Sequence, residues 1–177
     1  HADAAMYEAK SRGRDRWEVF DGSMRDAVAP RIGKESDLRR AIDNGQLELF
    51  YQPELMLETG VIVGVEALLR WHHPQQGLLT AGAFVGLAEE SGLIVDIGRW
   101  VLEQATRQGA AWRREGHALV TRVNLTARQR RPARVDEVES ALAASGLDPT
   151  ALGLEITETA IMDDVEESER ILLRFSE

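Results

Sequence analysis

The chain has 177 residues, 44% hydrophobic and 29% charged, with a net charge of −9 and no cysteine. This is the profile of a folded, soluble chain of one ordinary domain and a flanking piece. It excludes disulfides, thiolate metal sites and a cysteine nucleophile, argues against a nucleic-acid polymer as partner, and fits a cytoplasmic protein. No apolar run approaches the length of a membrane span, so this segment is expected to make no membrane contact; any membrane anchor of the whole protein is expected upstream. The first residue is His1, so the chain is expected to begin inside a longer reading frame.

Residues 2–11 are rich in helix formers, and Gly13 is a plausible stop. RGRDRWEVF reads as a short strand or loop ending at Phe20, and residues 21–34 read as a linker. Ser36 is positioned to cap a helix whose Leu38, Ala41 and Ile42 share a face and which Gly45 ends. Leu47, Leu49 and Tyr51 alternate with Glu48 and Phe50, which predicts a first strand. After a Thr59-Gly60 turn, the apolar run Val61 to Leu69 predicts a second strand, and HHPQQGLL a loop. Phe84, Leu87 and Ala88 have helical spacing, with Ser91-Gly92 at the end. Val101, Leu102, Ala105 and Trp112 mark a longer helix closed by Gly116. Leu119 to Asn124 predicts a third strand, Val135, Val138 and Leu142 a helix stopped by Gly146, and Leu152 to Thr157 a fourth strand. Asp163 with Glu166 opens a last helix carrying Ile171, Leu172 and Phe175. Strands alternating with helices predict an α/β fold with a parallel sheet or barrel.

Polar residues fall at strand ends. Glu66 lies late in the second strand, Asn124 ends the third, Glu155 lies late in the fourth, and Gln52 ends the first. A carboxylate in an apolar strand is costly without a partner. In a β/α barrel the C-terminal strand ends form the active-site face. Two carboxylates and an amide oxygen meeting there suit Mg²⁺ or Mn²⁺; buried polar residues more often serve as structural hydrogen-bond partners. Arg70, four residues beyond Glu66, has the reach and shape for a phosphate. His72 and His73 point opposite ways in an extended segment, which favours a loop role over metal binding. The basic stretch ARQRRPAR, residues 127–134, reads as a solvated loop, and Trp71, Trp100 and Trp112 as packing residues.

FYQPELMLETGVIVGVEALLRWHHP, FVGLAEESGLIVDIGRWVLEQA, RVNLTARQ and GLDPTALGLEITET follow one another in order. Together they resemble the EAL domains, cyclic di-GMP phosphodiesterases named for a Glu-Ala-Leu motif, here Glu66-Ala67-Leu68. The likeness runs over residues 35–177, and the opening ADAAMYEAKSRGRDRWEVF resembles the end of a GGDEF diguanylate cyclase domain, residues 1–20. The resemblance implies a TIM-like (β/α) barrel and metal-dependent hydrolysis of cyclic di-GMP to linear pGpG with two Mg²⁺ or Mn²⁺ ions. It implies Glu66, Asn124 and Glu155 as metal ligands, with Glu66 and Glu155 catalytic. It implies Gln52 and Arg70 as contacts to the dinucleotide, and Glu158 as a glutamate that braces an active-site loop.

The family continues into a DDFGTG motif, a lysine and a further acid or amide that are not in these residues, and Asp163-Asp164 is no substitute. The chain is therefore expected to be the N-terminal part of an EAL barrel, incomplete at its C-terminal end and inactive alone. Two rivals stand beside the hydrolase. One is a degenerate EAL module that binds cyclic di-GMP as a receptor without cleaving it; the other is an unrelated Mg²⁺-dependent barrel enzyme. EAL domains also form homodimers, which makes a second copy a possible partner.

Overall fold

A computed structural model of the chain describes residues 33–126, 129 and 133–156. The expected N-terminal helix, the stretch up to Phe20, most of the linker, Glu158 and the helix opened by Asp163 lie outside those residues.

Residues 33–41 form the first described helix, α1. Leu38 and Ala41 are fully buried on its inner face, while Glu35–Arg39 and Asp37–Arg40 pair along its outer face. Ser36 lies inside this helix and does not cap it, because the helix already runs through Lys34 and Glu35. The chain leaves α1 through a turn at residues 42–45, where Gly45 adopts φ 63°, a left-handed conformation that favours glycine.

Five strands form one mixed sheet: β1 (Leu47–Leu55), β2 (Ile62–His73), β3 (Gly77–Thr80), β4 (Val120–Leu125) and β5 (Leu152–Ile156). The expected sheet was parallel; only β2–β4 and β4–β5 are. β1 runs antiparallel to β2, with Leu47 opposite Trp71 and Gln52 opposite Glu66. The reason is local. Met56 N donates to Val61 O at 2.9 Å and Gly60 takes φ 68°, closing a tight turn that can join only antiparallel neighbours. The expected loop HHPQQGLL is likewise a hairpin. His72 and His73 complete β2, and Gly77–Thr80 returns as β3 against Arg70–His73. One edge of the long β2 is therefore shared, by β4 at Gly64–Ala67 and by β3 further on.

Three helices follow the hairpins: α2 (Val85–Ser91), α3 (Ile94–Arg114) and α4 (Ala133–Ser145). Phe84 stands at the N-cap of α2 and is almost wholly buried, and Gly92 ends it with φ 80°. Ile94, Ile97, Val101, Leu102 and Ala105 put a buried stripe of α3 against the sheet. The sheet answers with Leu47, Ala67, Leu69, Trp71 and Val123. Trp71 is 0% exposed and meets the Phe84 ring edge-on at 5.5 Å. Trp112 packs edge-on against Tyr51 at 4.8 Å, and Trp100 is half-buried against the core, as packing residues should be.

Strand side chains alternate between faces. Once Val65, Ala67, Leu69 and Trp71 turn to the helices, Glu66, Leu68 and Arg70 must turn the other way. The same parity sends Arg122 and Asn124 to that second face of β4, and Glu155, in register with Asn124, to that face of β5.

Candidate functional site

The polar face of the sheet gathers the residues singled out in the sequence. Gln52, Glu66 and Arg122 are register partners across β1, β2 and β4. One pleat further, Asn124 stands beside Glu155. Asn124 Nδ2 donates to Glu66 Oε1 at 2.6 Å, which links the two rows. Burial raises the pKa of the Glu155 carboxyl, and the neighbouring Glu66 and Glu54 carboxylates push it the same way; Arg122 opposes them.

Two of the four positions differ from their expected placing. Gln52 does not end β1, which runs on to Leu55; it reaches the site from mid-strand because β1 is antiparallel and registered on Glu66. Glu66 is also mid-strand, although it sits near the end of the segment of β2 that pairs with β4. Arg70 shares the face but lies four residues on, roughly 13 Å along the strand. Its guanidinium carbon stands 5.4 Å from the centre of the Phe50 ring, and its Nη1 donates to Leu69 O at 3.0 Å. Glu158 lies outside the described residues.

Two members of the cluster went unnoticed in the sequence. Glu54 is two residues beyond Gln52 on the same strand face, and Arg122 is two before Asn124. Arg122 Nη1 donates to Glu54 Oε2, and Arg122 Nε lies 3.6 Å from Glu155 Oε1. The available signal was the period of two applied outward from Gln52 and Asn124.

The donors converging here are carboxylate and amide oxygens, the set that hard divalent cations take. Carboxylates that face one another and raise the pKa of Glu155 are what a cation would relieve, so Glu66, Asn124 and Glu155 fit such an ion. Among the described residues no group of three or more His, Cys, Asp or Glu is arranged to hold a metal by itself. An apolar cleft of about 260 Å³ adjoins Asn124, lined by Leu68, Val85, Ile97 and Val101 among others. A larger cleft between α3 and α4, at Arg99, Glu103, Arg107 and Ser140, contains none of the residues singled out.

Two neighbouring stretches behave otherwise than expected. His72 and His73 do point opposite ways, yet from a strand: His72 Nε2 lies 2.5 Å from Glu48 Oε2, while buried His73 accepts from Gln75 N at 3.1 Å. The basic stretch is not simply a solvated loop. Gln129 and Arg134 are buried, Gln129 Nε2 donates to Ile94 O at 2.9 Å, and Arg134 Nη2 donates to Gly98 O at 3.3 Å. Both fold onto α3 where Gly98 leaves room; a Cβ there would stand 1.7 Å from Gln129 Nε2.

Residues 35–177 match the EAL domain family. The chain belongs to that family. It is 47% identical over 178 residues to the bifunctional diguanylate cyclase/cyclic di-GMP phosphodiesterase MucR of Pseudomonas aeruginosa, covering 99% of this chain and 26% of MucR. It is 36% identical over 178 residues to the cyclic di-GMP phosphodiesterase PdeR of Escherichia coli, covering 100% of this chain and 27% of PdeR. The chain thus spans about a quarter of the length of these relatives. Among solved structures, the PaMucR phosphodiesterase in complex with c-di-GMP aligns with TM-score 0.77 and 48% identity, over 80% of this chain and 58% of that one. The FimX EAL domain of Xanthomonas citri in complex with c-diGMP aligns with TM-score 0.74 and 27% identity, over 85% of this chain and 59% of that one. The mixed sheet and its helices are part of the TIM-barrel-like fold of those EAL domains. In this EAL domain the Glu-Ala-Leu motif therefore splits between two faces: Ala67 is core, and Glu66 belongs to the polar cluster. No helix among the described residues is long and apolar enough to cross a membrane.

Proposed function

We propose that this EAL domain takes part in hydrolysis of one phosphodiester of cyclic di-GMP, giving linear pGpG. The observation that carries the reading is the meeting of Glu66, Asn124 and Glu155 on one sheet face, with Asn124 bonded to Glu66 and Glu155 pressed by carboxylate neighbours. Those three residues would hold Mg²⁺ or Mn²⁺. Such ions, when bound, supply Lewis-acid polarisation of the phosphate and activation of water.

The chain's own groups do the positioning. Asn124 holds the Glu66 carboxylate in one orientation through its amide N–H. Gln52, exposed and opposite Glu66, is placed to hydrogen-bond the dinucleotide beside the reacting phosphate. Arg70, steadied over Phe50, offers its remaining N–H groups to a phosphate oxygen or a base edge. The resemblance gives Glu158, outside the described residues, the role of bracing an active-site loop. Residues 1–20 are the end of a GGDEF domain, residues 21–34 the linker, and residues 35–177 the N-terminal part of the EAL unit. The 177 residues alone are expected to give no turnover, since the family's DDFGTG motif and lysine, which the resemblance makes part of the site, are not among them.

The test is pGpG formation by the full-length protein with Mg²⁺ or Mn²⁺. Glu66→Ala is expected to lower kcat by more than about 100-fold, beyond what residues around a metal ligand contribute. Unchanged turnover in a folded Glu66→Ala protein would refute the assignment. Tight cyclic di-GMP binding without any turnover in the wild type would establish the receptor reading in its place.

A further inference from the structure

Arg122 bridges two carboxylates that come from opposite sides of its strand. Its Nη1 donates to Glu54 Oε2 in β1, and its Nε lies 3.6 Å from Glu155 Oε1 in β5. The Arg122 and Glu54 side chains reach from β4 and β1 and meet over β2, the strand between them. Gly64 leaves room for that meeting. A Cβ at Gly64 would stand 2.7 Å from both Arg122 Nη1 and Glu54 Oε2. On the other side Gly153, the register partner of Arg122, clears the stem: a Cβ there would stand 2.8 Å from Arg122 Cγ. Neither glycine is among those with positive φ, so both positions call for space rather than for an unusual backbone.

An arginine that merely faced solvent would need neither gap. Arg122 and its two partners are each about one-third exposed, so the ion pairs themselves add little to stability. What they fix is orientation. Glu155 left alone keeps its rotamer freedom and is repelled by Glu54 and Glu66.

We propose that Arg122 is a positioning residue for Glu155. It holds one carboxylate oxygen so that the other faces Glu66 and Asn124, and Glu54 anchors it from β1. The inference rests on the metal-site reading above, and groups that orient a metal ligand commonly set metal affinity.

The experiment is a Mn²⁺ titration of the nucleotide-free full-length protein by calorimetry or EPR, beside kcat and KM for cyclic di-GMP. The paired variant Glu54→Gln/Arg122→Gln keeps the net charge, so a change reports lost orientation rather than altered charge. It is expected to lose about tenfold or more in Mn²⁺ affinity, with a parallel fall in kcat and KM within about twofold. Arg122→Lys alone is expected to recover only part of the affinity, because a lysine cannot hold both carboxylates at fixed angles. Glu155→Gln serves as the reference. If it abolishes Mn²⁺ binding while the paired variant, folded by thermal melt, binds normally, the role given to Arg122 is overturned. If Glu155→Gln itself binds normally, the metal-site reading is what fails. Where the paired variant does not fold, Gly153→Ala decides: it keeps every charge and displaces the Arg122 stem, and unimpaired Mn²⁺ affinity there overturns the proposal. A raised KM with kcat and Mn²⁺ affinity unchanged makes Arg122 a substrate contact and overturns it too.

Discussion

The two faces of the sheet are made by the same strands and obey different rules. On one, Ala67, Leu69, Trp71 and Val123 are packed out of water against α2 and α3. On the other, Gln52, Glu54, Glu66, Arg70, Arg122 and Asn124 are exposed or half-exposed, and ion pairs and hydrogen bonds link Glu54 to Arg122 and Glu66 to Asn124. Adjacent residues of one strand therefore carry stability and chemistry separately. Burial scales with apolar area removed from water, so the first face holds the fold. Exposed ion pairs add little, so the second face is free to carry charges that a fold built only for stability would avoid.

That separation can be broken from either side. The largest expected effect is on the packed face. Trp71→Ala removes a fully buried ring that Phe84 and His73 both touch, and should cost about 3–5 kcal/mol in chemical denaturation. A loss under about 1 kcal/mol would mean that the helices do not depend on this face. A smaller effect is expected at Tyr51, whose phenol burial pushes up to about 12 from an ordinary 10.0. The folded state then binds the proton more tightly than the unfolded state. Stability is thus full below pH 10 and falls as pH rises through the window from about 10 to 12. The loss is about 2 kcal/mol, because solvent screening of the partly exposed ring lowers the roughly 2.7 kcal/mol that a rise from 10.0 to about 12 carries. Tyrosinate absorbance followed beside unfolding checks this, and ionisation of Tyr51 near pH 10 in the folded protein would contradict it. The smallest effect should come from the polar face. Glu66→Ala, expected to be ruinous for turnover, should change stability by about 1 kcal/mol or less. A large loss of stability there would show that the two faces are not separable.

Much of the packed face was legible because its signal is local. The alternation of Leu47, Leu49 and Tyr51, and the helical stripe of Val101, Leu102 and Ala105, need no knowledge of partners. Glu66 was legible for the opposite reason, as a carboxylate in the apolar run Val61 to Leu69, and Asn124 as a polar residue at a strand end. Gln52 was singled out as a strand end and stands near Glu66 by antiparallel register instead. HHPQQGLL looked like a loop because Pro74 and Gly77 punctuate it, and the short β3 has too few residues to display a period. Arg134 looked solvated because its neighbours in sequence are basic, yet Gly98 and Glu137 from folded elements receive it. Glu54 and Arg122 escaped notice because a charge at every second strand position usually means only a face turned to water.

The sequence by itself determined the period of each strand, the apolar face that follows from it, and the likeness to EAL domains, because these depend on residues close together in the chain. Only the tertiary structure decided that β1 turns back antiparallel, that Gln52 and Glu54 thereby join Glu66 and Glu155, and that Arg122, meeting Glu54 over Gly64, ties two of these carboxylates. Register and side-chain reach are relations between distant segments. They are set by how turns close and by which side chains leave room, and a single strand holds neither fact.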